Sequence, residues 1–310
     1  MTPFRFGVNT WAAGSSHEWV ERARRVEALG YATLFMADHL ADTLAPFSAL
    51  GVAAHAAPTL RVGPLVLNND FRHPVVVARE VATLDSLTDG RVELGLGAGY
   101  ADTEYLEAGL PFDEGSVRVK RLGESVTIIT RLLAGELVTF RGSHYEISGH
   151  RIYPLPVQKP RPPILLGGNG KQLLTLAARE ADIVSLTGAT FLPGGRPASL
   201  SGFTTAGFSD RIEWIRSAAK ERSTPPTLNI LVQRVVVAET PRKAAECLAP
   251  RWPRLSVEEL LESPFFLLGP TEHLVEILQA RRERWAISYI VVFDRSIDDF
   301  APVVARLAGT

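Results

Sequence analysis

A (β/α)8 barrel carrying insertions is the fold class this 310-residue chain predicts. Strand and helix signals alternate from the first residues onward, and eight strand candidates can be counted, most of them followed by a helix. Hydrophobic residues make up 46% of the chain, enough for a large buried core and too many for a disordered one. No internal repeat and no linker interrupts the pattern. A single domain over residues 1–310 is therefore expected, with an open doubly wound sheet as the competing architecture.

The elements follow in order. Residues 4–8 read as the first strand. Ser15 and Glu18, three positions apart, predict a capping box that satisfies two helix-end donors reciprocally. Val20, Ala23, Val26 and Leu29 continue at near-helical spacing, and Gly30 stops the helix. Residues 31–36 are almost continuously apolar, as a parallel strand covered on both faces should be, and end in Ala37-Asp38-His39. A helix over 46–56 comes next. The third strand, 60–67, closes on the polar elbow Asn68-Asn69-Asp70-Phe71-Arg72-His73, and Pro74 suits the first position of the following helix. Asp89-Gly90 ends that helix, and the fourth strand, 92–96, runs into Gly97-Ala98-Gly99-Tyr100. Val119, Leu122, Val126, Ile129 and Leu133, spaced three and four apart, mark the clearest amphipathic helix, which Gly135 ends.

Residues 136–161 break the alternation with a small hairpin and a proline-rich return. The fifth strand, 164–166, enters Gly167-Gly168-Asn169-Gly170-Lys171 and then a helix through Leu173 and Leu176. The sixth, 182–186, leads into residues 187–209, a Gly-, Pro-, Ser- and Thr-rich loop long enough to read as a lid. A helix over 210–221, a strand over 228–237, a helical insertion over 241–263, a helix over 271–284, a strand over 288–293 and a closing helix over 297–307 complete the chain.

Composition excludes several function classes. A formal charge of -1 gives no electrostatic footprint for nucleic acid or an anionic membrane. No run approaches the roughly 18 apolar residues of a membrane span, and the opening Met-Thr-Pro-Phe-Arg-Phe-Gly-Val has no apolar signal core. The single cysteine, Cys247, precludes an internal disulfide and fits a reducing cytosol, so a cytoplasmic protein is expected. Cys247 itself reads as a buried small apolar residue of a helix. No HExxH, clustered cysteines or close histidine pair suggests a metal, and no GxSxG suggests a hydrolase nucleophile.

In a parallel α/β architecture ligands sit at the carboxyl ends of the strands, so the loops there carry the candidates. Gly167, Gly168, Asn169, Gly170 and Lys171 stand between a strand and a helix, where glycines admit a phosphate to free helix-end N–H groups and Lys171 adds charge. The same composition suits an ordinary tight turn. The glycines of 95–99 lack GxGxxG spacing and offer room for a flat ring rather than a pyrophosphate clamp. Asp38 can accept from ring N–H groups and His39 can move a proton near neutral pH. Neighbours on an extended chain point to opposite sides, so the two form a relay only if the strand has ended by Asp38. Asn68 can meet a heterocycle's edge through its amide, or simply form a turn.

Taken together, Ala37-Asp38-His39, the run Val66 to Pro74, the run Gly90 to Tyr100 and Pro163-Ile164-Leu165-Leu166-Gly167-Gly168 resemble the bacterial luciferase-like superfamily, and within it the coenzyme F420-dependent oxidoreductases. The likeness covers residues 4–186, weakens through 187–265 and returns near the end. It implies a barrel, a homodimer, and a cofactor tricycle bedded at the strand ends. It also implies a non-prolyl cis peptide at Leu65-Val66 behind the ring, with Asp38 against the ring system and His39 catalytic or adjacent to the ring. Ala98 and Gly99 would meet the pyrimidine edge, and Gly167 through Lys171 would grip the phosphate. The implied activity is hydride transfer between the deazaflavin C5 and a small organic substrate. An FMN-dependent monooxygenase is the alternative, and a non-catalytic flavin-binding protein a third. One departure stands out. Sugar-phosphate dehydrogenases of this branch carry a glutamate where this chain has Tyr100, so a hexose phosphate is not the expected substrate. Tyr100 walls the pocket or, as second choice after His39, donates the proton.

Overall fold

The first strand, Arg5–Thr10, is hydrogen-bonded on one side to Thr33–Met36 and on the other to Ile287–Phe293, so the two ends of the chain are neighbours in one sheet. The computed structural model describes residues 2–11, 13–41, 43–191 and 197–310. Around the sheet follow Arg61–Pro64, Leu94–Gly97, Ile164–Gly168, Ile183–Leu186 and Thr227–Leu231, every ladder parallel. The third strand is broken in two. Arg61–Pro64 pairs with the second strand, Leu67–Asn68 with the fourth, and the Leu65-Val66 peptide between them is cis. The sheet therefore starts on one half of that strand and finishes on the other, and a bridge from Val62 to Val92 closes the circuit. This is the barrel that the alternating pattern predicts.

Two apolar layers hold it. Phe35, Leu65, Leu165, Ile183, Tyr289 and Val291 fill the interior, and a larger layer lies between the strands and the surrounding helices. At the amino end of the strands the fully buried Glu93 carboxylate receives Arg61 at 2.7 Å, the Tyr289 hydroxyl at 3.1 Å and the Arg5 guanidinium. A buried charge is tolerable only when paired and hydrogen-bonded in this way. The floor of the barrel is thus a polar knot, and its apolar interior rises from there to the opposite rim.

Local signals mostly act as read. Gly30 and Gly135 carry positive φ at their helix ends, and Leu122, Val126, Ile129 and Leu133 are buried along Gly115–Leu133. Several details differ. Ser15 accepts from the Glu18 N–H, but Glu18 accepts from Gly14 instead of Ser15, so only half of the predicted capping box forms. A complete box caps Val257–Glu262, where Ser256 and Glu259 bond reciprocally. In Ser16–Ala28 Ala23 and Val26 are buried as read, but Trp19 joins them in place of the half-buried Val20. The 228–237 run divides at Val232-Gln233, and Arg234–Val236 pairs with Phe266–Leu268 outside the barrel. Cys247 is exposed, because Ala244, Ala245 and Leu248 take the buried face of its helix. The helix expected over 210–221 begins at Thr205, capped by the Thr204 hydroxyl, which shortens the loop before it. The middle of the expected lid, 192–196, lies outside the described residues. Among the described residues no helix is long and apolar enough to cross a membrane.

Candidate active site

A cavity of about 640 Å³ opens at the carboxyl ends of the strands. All thirteen residues nominated from the sequence line it: Asp38, His39, Leu65, Val66, Asn68, Ala98, Gly99, Tyr100, Gly167, Gly168, Asn169, Gly170 and Lys171. They come from four successive strand tips, which the barrel gathers into one bed.

One wall is an apolar shelf. The Val66 side chain projects over strands four and five into space that only glycine leaves. A Cβ at Gly97 would stand 2.6 Å from Val66, and one at Gly167 would stand 3.0 Å away. These glycines thus serve Val66, and Leu65 and Val66 present a smooth surface to the cavity. Beside the shelf, Gly99 has φ +74, and a Cβ there would fall 2.1 Å from the Tyr105 hydroxyl. That hydroxyl donates to Asn68 Oδ1 at 2.8 Å, which also accepts the Asp70 N–H. The Asn68 oxygen is consequently used to hold the elbow together. Arg118 pins the adjoining loop by donating to the carbonyls of Ala98, Gly99 and Asp113 while lying over the Phe112 ring.

Asp38 and His39 both reach the cavity because the second strand ends at Met36, before the alternation of an extended chain would separate them. They belong to different networks. Asp38 accepts the Asn68 N–H at 2.9 Å and both Arg72 nitrogens at 2.7 and 3.1 Å, tying the second strand tip to the third. His39 lies flat on Trp11, with ring centroids 4.8 Å apart and planes within 4°. Its Nδ1 meets Glu104 Oε1 at 2.6 Å, and the other Glu104 oxygen accepts the Leu40 N–H. A carboxylate on Nδ1 makes that nitrogen the donor and turns Nε2 outward, 3.5 Å from the Tyr100 hydroxyl. Burial, and then the Glu104 charge, push the Tyr100 phenol above its ordinary range, so it is a neutral donor at neutral pH.

At the fifth strand the chain passes from Gly168 directly into Lys171–Glu180. Gly170 is the N-cap and supplies no side-chain acceptor, so the first-turn N–H groups face the cavity without a cap. Asn169 is buried and accepts Arg211 Nε at 2.6 Å, while Arg211 and Lys171 both approach the Trp214 ring. An anionic tail suits this end, and a flat ring suits the shelf. Asn9 lines the cavity as well, with its Oδ1 buried and lacking a hydrogen-bond partner.

A family model for luciferase-like monooxygenases matches residues 1–286. The chain belongs to that family. Over 189 residues it is 37% identical to the F420-dependent glucose-6-phosphate dehydrogenase of Microbacterium testaceum, which covers 58% of this chain and 55% of that protein. The chain thus matches only about half the length of such curated relatives. Among solved structures, the coenzyme F420-dependent tetrahydromethanopterin reductase of Methanopyrus kandleri superposes with a TM-score of 0.77 at 17% identity, over 99% of this chain and 100% of that one. A long-chain alkane monooxygenase gives the same TM-score at 16% identity, over 99% and 91%. At such identities the likeness is one of fold.

Within this luciferase-like family member, the residues missed from the sequence are Trp11, Glu104, Arg118, Asn9, Gln233 just beyond the seventh barrel strand, and Trp252 from the 241–263 insertion. Trp11 directly follows the first strand, where the rule that ligands gather at carboxyl ends nominates it. Glu104 stands in the first turn of Asp102–Glu107, the short helix that opens directly after the Gly97-to-Tyr100 loop. Nothing local marked Trp252, which reaches the cavity through long-range packing of the 241–263 insertion.

Proposed function

We propose that the chain is a coenzyme F420-dependent oxidoreductase that moves a hydride between the deazaflavin and a small organic substrate. The observation carrying this reading is the convergence of the apolar Leu65-Val66 shelf, the uncapped helix end at Gly170 and the His39–Glu104 pair on one cavity. When bound, F420 supplies a hydride donor or acceptor at C5. Leu65 and Val66 would back its ring, Ala98 and Gly99 would border its edge, and Gly167 to Lys171 would take its phosphate. Asp38 acts by bracing Asn68 and Arg72. His39 holds or releases the proton at Nε2, with Glu104 fixing the ring's tautomer and Trp11 its plane. Tyr100 walls the mouth and can pass a proton to Nε2. The full 310 residues would work as one barrel unit, as a cytoplasmic homodimer.

Anaerobic titration with F420 tests the reading. Saturable change in the cofactor's absorbance and a raised melting temperature are expected, the latter by about 2.7 kcal/mol of added stability at a hundredfold excess over Kd. An unperturbed spectrum and unchanged melting would overturn it. A second reading, an FMN-dependent monooxygenase, is favoured by the alkane monooxygenase that fits the fold equally well. Stoichiometric oxygen consumption with reduced FMN, and none with reduced F420, would establish it instead.

A further inference from the structure

Arg211 stands behind the anion end of the cavity rather than on its wall. It belongs to Thr205–Ala218, is 6% exposed, and spends its guanidinium on neutral acceptors. Nε donates to Asn169 Oδ1 at 2.6 Å, and the terminal nitrogens donate to the Gly207 carbonyl at 2.6 Å and the Ser201 hydroxyl at 3.3 Å. Each acceptor is itself held in place. Asn169 is 4% exposed within the Gly168-to-Lys171 loop, and the Gly207 N–H donates to the Thr204 cap. Ser201 opens the short turn Ser201–Phe203, whose Phe203 reaches the cavity. That turn rests directly on the loop: a Cβ at Gly202 would stand 2.7 Å from Asn169 Oδ1 and would also strike the Gly188 carbonyl. The Trp214 ring lies 5.4 Å from the Arg211 guanidinium carbon and 5.7 Å from the Lys171 ammonium, so two like charges share one aromatic flank. Burial pulls the Arg211 guanidinium below its ordinary range, and the neighbouring Asp210 charge offsets only part of that.

We infer that Arg211 is a positioning residue for the anion end: it braces Asn169 so that the Gly168-to-Lys171 loop keeps its N–H groups on a phosphate, and it lends that phosphate a positive charge from behind the loop. The inference rests on reading the cavity as a deazaflavin site, and it deepens that reading. A buried cation bonded to neutral acceptors gains from an anion placed nearby, and the low dielectric behind the loop screens the attraction less than water would. The brace also sets the loop before a ligand arrives, which leaves less ordering to be done on binding. Because its other two arms end on Ser201 and Gly207, the same guanidinium fastens the phosphate loop to the turn that carries Phe203.

Fluorescence titration with F420, and with the phosphate-free deazaflavin carrying the same ring, tests this. Arg211→Met should loosen F420 about a hundredfold. Arg211→Lys, which keeps the charge and loses the fork, should loosen it about tenfold, while the phosphate-free compound moves less than about twofold with either variant. Should Arg211→Met fail to fold, Arg211→Lys decides, and Ser201→Ala, which cuts one arm outside the cavity, should loosen F420 about threefold. F420 affinity within about twofold of wild type in folded Arg211→Lys, or equal losses for the two compounds, would overturn the inference. If the wild-type protein binds neither compound, the functional reading falls instead. Inorganic phosphate then probes the loop alone: it should raise the melting temperature of the wild type and not that of Arg211→Lys, and equal shifts, nil included, would overturn the inference.

Discussion

Removing the Asp38 carboxylate separates a brace from a direct ligand contact. Its side chain is 2% exposed and the Arg72 side chain 22%, so neither charge can fully rehydrate when the other is lost. Asp38→Ala deletes the acceptor of the Asn68 N–H and strands the Arg72 guanidinium. Breaking a fully buried pair costs about 3–5 kcal/mol, and the partial access of Arg72 places this case near 3 kcal/mol. A chain of this size loses roughly 2 °C of Tm per kcal/mol, giving a fall of about 6 °C. Asp38→Asn, which keeps shape and one acceptor, should cost about half as much. Differential scanning calorimetry of Asp38→Ala, Arg72→Ala and the double variant then yields a coupling of about 2 kcal/mol. Additive losses, or Tm within about 1 °C of wild type for Asp38→Ala with F420 binding abolished, would refute the brace and restore a purely ligand-directed Asp38.

Three further predictions concern the rim and the buried tyrosines. Glu104→Gln should lower kcat about a hundredfold by freeing the His39 tautomer, while the F420 Kd moves less than about threefold; steady-state rates and absorbance titrations measure both. Gly99→Ala should lose about 3 kcal/mol in chemical denaturation, since it combines positive φ with displacement of the Tyr105 hydroxyl from Asn68. Burial raises the phenols of Tyr31, Tyr100, Tyr105, Tyr145 and Tyr289 above the ordinary value near 10. Their contribution to stability is therefore complete below pH 10 and is lost as pH climbs through the raised values. Tyrosinate absorbance in folded protein should lag behind that of the denatured chain above pH 10, and coincident curves would contradict it.

How far the residues alone disclose this molecule depends on how local each signal is. The barrel strands are short apolar runs with turn residues after them, and proximity in sequence is enough to reveal them. Gly167 to Lys171 and Gly97 to Tyr100 were legible for the same reason, because each is a loop between one strand and the next helix. The roles of Asp38 and Asn68 were less so. Both look like ring-facing polar groups in sequence, but Asp38 is committed to Arg72 from another loop, and the Asn68 oxygen to Tyr105, 37 positions away. Trp252 was invisible because its place depends on Phe203 and Phe266, contacts that no periodicity encodes. Cys247 was misjudged because its helix turns a different face inward than its apolar character suggests.

The Glu93 knot at the far end of the strands binds residues of the first, third and eighth strands around a carboxylate at the head of the fourth. Closure of the cylinder is thereby assured on the side away from the ligand bed. Apart from the Asp38–Arg72 tie and the Gly99 elbow, the loops at the open rim carry less of that task, which leaves them free to be exchanged among homologues with a change of specificity and little penalty to folding. Chimeras that trade 187–204 or 241–263 should therefore remain soluble where those altering Glu93 do not.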